Sequence, residues 1–227
     1  MPTSARQKLR VVVAGGHGKI ALLLTRTLTN RGHAVVGIVR NADHVADVEA
    51  MGGTAVVLDL EHSDVASVAT VLEGADAVVF AAGAGPGSTA ERKYTVDRDA
   101  SNLLAAAAEK AGVQRFVQIS TSRAGAPAAK GSTPVWVAYI DAKTQAEDAL
   151  KATGLDWTIL RAGALTAGPG TGRVTLAGRH VPRGSVPRED VAMVLAELVV
   201  SGAAVRRTLE LTTGQVPVAT AVAATGP

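Results

Sequence analysis

The chain has 227 residues, no cysteine, 47% hydrophobic but only 3% aromatic residues, and 23 basic against 20 acidic side chains, for a formal charge of +3. The lack of cysteine excludes a disulfide framework, a thiolate metal site and a cysteine nucleophile, and it is compatible with the reducing cytoplasm where the protein is expected. Basic and acidic residues are interspersed, no stretch is long enough to span a bilayer, and residues 1–8 carry no apolar leader region, so neither nucleic acid nor membrane is expected as a partner.

This apolar fraction can bury a sizeable core, and with so few aromatics the core must be built from Ala, Val and Leu, which suits helices packed closely on a parallel sheet. A single domain over 1–227 is expected. The first strand begins near Leu9 and runs through Val11-Val12-Val13-Ala14 straight into Gly15-Gly16-His17-Gly18. An apolar helix over 20–30 follows, with Ile20, Leu23, Leu24 and Leu28 on one face and a stop at Arg31-Gly32. Strands are predicted over 34–39 and 55–58. Ser63-Asp64 can cap a helix that runs through Leu72 to Gly74, ahead of a fourth strand over 77–82. A longer helix over 95–111, closed by Gly112, leads to a fifth strand over 115–119, and a helix over 137–153, closed by Gly154, leads to a sixth over 157–160. The stretch 164–187, rich in Gly, Pro and Arg, breaks the rhythm before a last helix over 188–201, bounded by Pro187 and Gly202. Regular succession of strand and helix implies right-handed crossovers and an α/β fold. The expected form is a doubly wound parallel sheet in three α/β/α layers, with ligands beyond the carboxyl ends of the strands.

The first of those ends has the shape of a dinucleotide phosphate site. Gly15 can take the angles of a tight turn, Gly18 has no side chain to hold the main chain away from a pyrophosphate, and Ala21 lets the helix pack closely on the strand. The free amides of the first helical turn and the positive end of its dipole then face the anion, so Gly15, Gly16, His17, Gly18, Lys19 and Ile20 are the expected contacts. His17 either donates to the pyrophosphate or faces solvent. His33, His44, His62 and His180 have no ligand spacing, and no metal site is expected.

Arg40 directly follows the second strand, where the adenosine ribose of a dinucleotide lies. An acid there accepts from the 2′-hydroxyl of NAD, whereas an arginine pairs with the 2′-phosphate of NADP, so NADP is expected ahead of NAD. Asp59 and Leu60, after the third strand, are placed to touch the adenine, the carboxylate accepting from its exocyclic amine. Ala81, Ala82 and Gly83 keep the backbone bare beside the cofactor. Tyr139 and Lys143 stand four apart and share a helical face. A phenol with an ordinary pKa of about 10 is a poor acid or base at neutral pH, and an ammonium one turn away, reinforced by the positive nicotinamide ring of an oxidised cofactor, lowers that value toward the working range. The same lysine can hold the nicotinamide ribose hydroxyls. No serine sits in a nucleophile elbow and no Walker lysine follows the glycines, so hydrolase and phosphoryl-transfer chemistry lack residues.

These segments together resemble the short-chain dehydrogenase/reductase superfamily, specifically its atypical NAD(P)-binding branch of NmrA-like and biliverdin reductase B-like proteins. The resemblance is carried by residues 15–21, Val39-Arg40-Asn41, Leu58-Asp59-Leu60, residues 112–120, residues 154–163 and Arg188-Glu189-Asp190-Val191-Ala192. It spans residues 9 to about 192, and the tail over 209–215 is similar to the family's last strand. It implies a Rossmann fold with a small C-terminal substrate lobe over 164–187, Tyr139 as general acid/base, Lys143 as its electrostatic partner, and Ser122 as the hydroxyl that orients a substrate carbonyl. Ser120 and Thr121 compete for that last role.

Two departures stand out. Arg161-Ala162-Gly163 replaces the usual Arg-Pro-Gly, and Asp97 lies where many relatives carry an asparagine that supports a proton-relay water. The short lobe argues against a nucleotide-sugar substrate and for a small or flat molecule. The expected function is an NADP-dependent oxidoreductase moving hydride between nicotinamide and a small carbonyl or flavin-like substrate. The alternative is a non-catalytic NADP(H)-sensing regulatory protein, which many relatives lacking the tyrosine resemble. The expected partner is a small-molecule substrate, and the protein is expected as a monomer or a homodimer.

Overall fold

Val11 and Val13 face one side of the central sheet and Val12 and Ala14 the other, and all four are buried, so β1 (Arg10–Ala14) must be covered by helices on both faces. The computed structural model describes residues 8–178 and 181–226; His180 and the chain start over 1–7, where no leader was expected, lie outside them. After β1 come α1 (Lys19–Asn30), β2 (Ala34–Val39), α2 (Val45–Ala50), β3 (Thr54–Val57), α3 (Val65–Leu72) and β4 (Ala77–Phe80). A short turn of helix α4 (Ala90–Arg92) continues through a π-helical stretch, Lys93–Asp99, into α5 (Ala100–Ala111), followed by β5 (Arg115–Thr121), α6 (Pro134–Lys151) and β6 (Asp156–Ala162). The C-terminal part holds β7 (Ala164–Thr166), β8 (Arg173–Ala177), β9 (Ser185–Pro187), α7 (Arg188–Ser201), β10 (Arg207–Thr213), β11 (Val216–Pro217) and α8 (Val218–Ala223).

The main sheet has nine strands in the order β11-β8-β10-β6-β5-β4-β1-β2-β3. From β3 to β10 every neighbouring pair is parallel. The chain leaves β1 in one direction to β2 and β3 and in the other to β4, β5 and β6, so a crevice opens between β1 and β4 at their carboxyl ends. On one face Leu24 and Leu28 of α1 pack with Leu195 and Leu198 of α7 over Val11, Val13 and Val79. On the other, Leu72, Leu104 and Ala108 cover Val12, Val78, Phe80 and Phe116. Truncating one of these enclosed leucines to alanine costs about 2–5 kcal/mol. Arg115, itself buried, donates to the carbonyls of Asp156, Leu198 and Ala203 and to the Thr158 hydroxyl, tying β5 to β6 and to the carbonyl end of α7.

The alternation read from the sequence reappears element by element, and the differences have local causes. Asp64 caps α3 by accepting from the Ser67 amide at 2.8 Å, and Gly112 and Gly202, at φ +73° and +67°, close α5 and α7. The helix expected over 95–111 begins earlier, capped by Thr89, and its first half is π-helical. The helix expected from 137 starts at Pro134 behind the Thr133 cap. Helix α2 escaped the sequence reading because it is six residues long with only Val48 buried. The sheet is not wholly parallel: β8, from the stretch read as a lobe, pairs antiparallel with β10, and β11 pairs antiparallel with β8. Among the described residues, β7 and β9 form a separate two-stranded sheet beyond it.

Candidate functional site

Gly15 has φ +76°, and a Cβ there would lie 2.6 Å from Ala82 Cα, so this position needs glycine both for its angles and for the close pass of the chain leaving β4. At Gly16 a Cβ would lie 2.7 Å from Gly37 Cα, and the Gly16 amide donates to the Ile38 carbonyl at 2.9 Å, which presses the loop against β2. Gly18 occupies the N-cap of α1 with no side-chain cap, and the first turn holds no acidic residue. The amides of that turn therefore face outward with no side-chain acceptor, and this cradle fits a pyrophosphate. His17 is oriented by Asp47, its Nε2 being 2.7 Å from Oδ2, and its ring stacks on His44 at 3.7 Å between centroids.

A cavity of about 280 Å³ runs from Gly15 and Gly18 past Arg40, Leu58, Asp59 and Leu60 to Ala82 and Gly83. Arg40 is exposed and donates to Glu61 Oε2 at 3.3 Å. The same oxygen accepts from Arg92 at 2.6 Å, and Glu61 Oε1 accepts from the Thr95 hydroxyl at 2.6 Å. Two guanidinium groups thus line this end of the cavity around one carboxylate. Arg92 and Glu61 were not picked out from the sequence, although Thr89 as a helix cap ahead of Ala90 was a usable sign that Arg92 is helical. Asp59 uses both carboxylate oxygens within its own turn, accepting from the Glu61 amide at 3.0 Å and pairing with His62 Nδ1 at 2.9 Å. Partial burial pushes the Asp59 carboxyl up, but the hydrogen bonds from His62 and the Glu61 amide, with the charges of His62 and Arg40, hold it below the ordinary carboxylate value.

Ala81, Ala82 and Gly83 also wall a second cavity of about 800 Å³, into which α6 brings Tyr139 and Lys143, the end of β5 brings Ser120, Thr121 and Ser122, and the π-helical stretch brings Lys93 and Asp97. Lys143 Nζ lies 3.1 Å from Asp97 Oδ1, both side chains being almost fully enclosed at 6% and 2% exposure, and Lys143 also donates to the Ile119 carbonyl at 3.4 Å. Asp97 Oδ2 accepts from the Ala84 amide at 3.1 Å. The Asp97 carboxylate thus acts as a double acceptor, joining the loop after β4 to the lysine of α6. Lys93 donates to the Gly85 carbonyl at 2.7 Å and sits 5.4 Å from the centre of the Tyr139 ring.

Burial pushes the Tyr139 phenol above its ordinary value; the Lys143 ammonium and the Thr121 hydroxyl pull it down, and the Asp97 carboxylate pushes it up again, leaving it raised. The pull of Lys143 expected from the sequence is present, and within the protein alone burial together with Asp97 outweighs it. Of the three hydroxyls at the end of β5, that of Ser120 donates to Glu147 Oε1 at 2.6 Å, that of Thr121 lies beside the phenol, and Ser122, its amide on the Ala162 carbonyl, lines the cavity. Glu147 is enclosed and also pairs with Arg161 at 2.6 Å, which pins α6, and with it Tyr139 and Lys143, to β6. Among the described residues no group of three or more His, Asp or Glu side chains has the arrangement of a metal site, and no helix is long and apolar enough to cross a membrane.

A crevice at the strand-order reversal, with a glycine cradle at one end and a tyrosine–lysine pair at the other, defines a nucleotide-cofactor protein of the Rossmann type. The chain matches the NAD(P)H-binding family over residues 15–201 and belongs to it, within the atypical short-chain dehydrogenase/reductase-like superfamily. It is 32% identical over 215 residues to the uncharacterized sugar epimerase YhfK of Bacillus subtilis, covering 94% of this chain and 99% of that one. Among solved structures, a Bacillus halodurans protein assigned as an NAD-dependent epimerase/dehydratase superposes with a TM-score of 0.87 at 34% identity, covering 95% of this chain and 99% of the other. The oxidoreductase ylbE of Lactococcus lactis superposes with a TM-score of 0.82 at 25% identity, covering 95% and 96%.

Proposed function

We propose that the protein is an NADP-dependent oxidoreductase of the short-chain dehydrogenase/reductase type, moving hydride between nicotinamide and a small carbonyl or flavin-like substrate, with Tyr139 as general acid/base. The observation that carries this reading is the continuity of the crevice: Ala81, Ala82 and Gly83 wall both the cavity of the glycine loop and the cavity of Tyr139 and Lys143. When bound, the dinucleotide supplies the hydride. The chain supplies the rest. Gly15, Gly16, His17, Gly18, Lys19 and Ile20 hold the pyrophosphate, Asp59 and Leu60 flank the adenine, and Ala81, Ala82 and Gly83 leave room along the backbone. Arg40, joined by Arg92, takes the 2′-phosphate, for which two guanidinium groups around the single carboxylate of Glu61 leave a positive excess.

At the other end Lys143 holds the ribose hydroxyls and biases the phenol toward its anion. Tyr139 gives its proton to the carbonyl oxygen in reduction and takes it back in oxidation. Ser122, with Thr121 beside the phenol, orients that oxygen. A phenol raised above its ordinary value stays protonated at neutral pH, which supports the reductive direction as the one in which Tyr139 stands ready.

The epimerase name of the Bacillus subtilis relative suggests a reaction that returns the hydride it removes and consumes no cofactor. The test is therefore NADPH oxidation against a panel of small aldehydes, ketones, quinones and flavins. Stoichiometric loss of NADPH with product formation is expected. No turnover across the panel, together with clearly different affinities for NADP and NADPH, would refute the reading in favour of a cofactor sensor.

A further inference from the structure

The cavity that holds Tyr139 is lined by four cationic side chains, Lys93, Arg123, Lys143 and Arg188, and by one carboxylate, Asp97. Asp97 is committed to Lys143 and to the Ala84 amide. Lys93 is committed to the Gly85 carbonyl. Arg188, the first residue of α7, is half-buried in the cavity wall, and its guanidinium makes no hydrogen bond or ion pair with any described residue.

The acids nearest it in sequence are turned elsewhere. Glu189 pairs with Arg26 and accepts from the Gly170 amide, and Asp190 accepts from the amides of Thr171 and Gly172. A guanidinium carries five donors in a planar fork that matches a carboxylate or phosphate, and partly withdrawing it from water with none of them answered by protein is unfavourable until an anion arrives. Arg123, whose side chain also has no partner among the described residues, lines the same cavity. Opposite in character is the lip, where Trp136 and Leu165 remain 43% and 40% exposed.

We infer that the substrate is an anion with an apolar, flat body, its carboxylate or phosphate held by Arg188 and its body laid against Trp136 and Leu165. This deepens the oxidoreductase reading and rests on it for the identity of the cavity as a substrate site. The cofactor's own pyrophosphate is the other anion in reach of this fold, but its cradle residues Gly15 and Gly18 line the neighbouring cavity, to which Arg188 does not contribute.

The test is equilibrium binding to the NADP-saturated protein by calorimetry, with naphthalene-2-carboxylate, 2-naphthyl phosphate and the neutral naphthalene-2-methanol as probes. At least one anion is expected to bind about ten-fold or more tighter than the alcohol, the size of one charge-assisted bidentate contact. The better of the two anions names the group. Arg188→Gln is expected to erase that preference and Arg188→Lys to keep part of it, while the NADP affinity of both variants stays within about two-fold of wild type.

Equal binding of anion and alcohol, failure of both anions to bind, survival of the preference in Arg188→Gln, or a loss of NADP affinity of about ten-fold or more in that variant each overturns the inference. The last outcome would assign the guanidinium to the cofactor. Because every readout is a binding constant, the outcome that refutes the oxidoreductase reading, no turnover with clearly different NADP and NADPH affinities, is read separately from this one.

Discussion

Asp97→Asn separates the electrostatic role of the buried pair from its structural one. Lys143 Nζ and Asp97 Oδ1 are 3.1 Å apart with both side chains nearly closed to solvent, and at an effective dielectric of about 20 their attraction is about 5 kcal/mol before desolvation is subtracted. Removing one partner of such a pair leaves an uncompensated buried charge and costs about 3–5 kcal/mol. The Ile119 carbonyl still accepts from Lys143, and the Asn oxygen can still serve one of the two donors that Asp97 served, so the lower end, about 3 kcal/mol, applies here. For a domain of this size that is a melting temperature lower by about 6–12 °C, with a matching fall in the urea midpoint at unchanged slope.

The second readout is pH. Asp97 pushes the Tyr139 phenol up, so removing its charge lets the phenol ionise at lower pH. Reduction needs the protonated phenol, and its rate is lost as pH rises through that value. The alkaline limb of the kcat/KM profile therefore moves to lower pH in the Asn variant. A melting temperature within about 2 °C of wild type would contradict the buried pair, and an alkaline limb that stays or moves upward would contradict the electrostatic coupling of Asp97 to Tyr139.

Gly16→Ala places a methyl 2.7 Å from Gly37 Cα, with backbone on both sides, so the loop must move by roughly 0.8 Å to regain ordinary contact. Displacement on this scale is expected to weaken NADP binding at least about ten-fold, and titration giving a wild-type Kd would refute the cradle. Arg40→Ala is expected to collapse the preference for NADP over NAD, with NAD affinity nearly unchanged, and Arg92→Ala to reduce that preference in part; calorimetric titration of both cofactors reads it, and an intact preference in the double variant would sink the assignment of the 2′-phosphate.

The parallel half of the sheet and its helices were legible because their signals are local. Apolar runs such as Val11-Val12-Val13 mark strands buried on both faces, and glycines such as Gly112 and Gly202 mark helix ends by the left-handed angles they adopt. The glycine loop, Arg40, and Tyr139 with Lys143 were legible for the same reason, each being a short spacing tied to the end of an element. What stayed hidden depends on distance in the chain. Glu61 joins Arg40, 21 residues before it, to Arg92, 31 residues after it, and no periodicity reports that.

The π-helical stretch has no residue signature either. Lys93 falls before the helix start expected at 95, and nothing in the local pattern reports that it and Asp97 are buried in the cavity wall. For the phenol, sequence spacing shows the nearby lysine but neither the burial that raises it nor the Asp97 carboxylate that pairs with that lysine. The strands β8 and β11, which close one end of the sheet, are set among Gly and Pro, and their antiparallel pairing is not marked by their own pattern.

The proposed role of Tyr139, to move a proton at the far end of a crevice whose near end would hold NADP, is tested most directly by single-turnover NADPH oxidation by Tyr139→Phe beside a titration of its cofactor affinity. The phenylalanine keeps the ring that packs beside Trp136 and removes only the hydroxyl. A rate lower by about 10²–10⁴-fold is expected, with NADPH affinity within about two-fold of wild type. A variant that oxidises NADPH at the wild-type rate would contradict it.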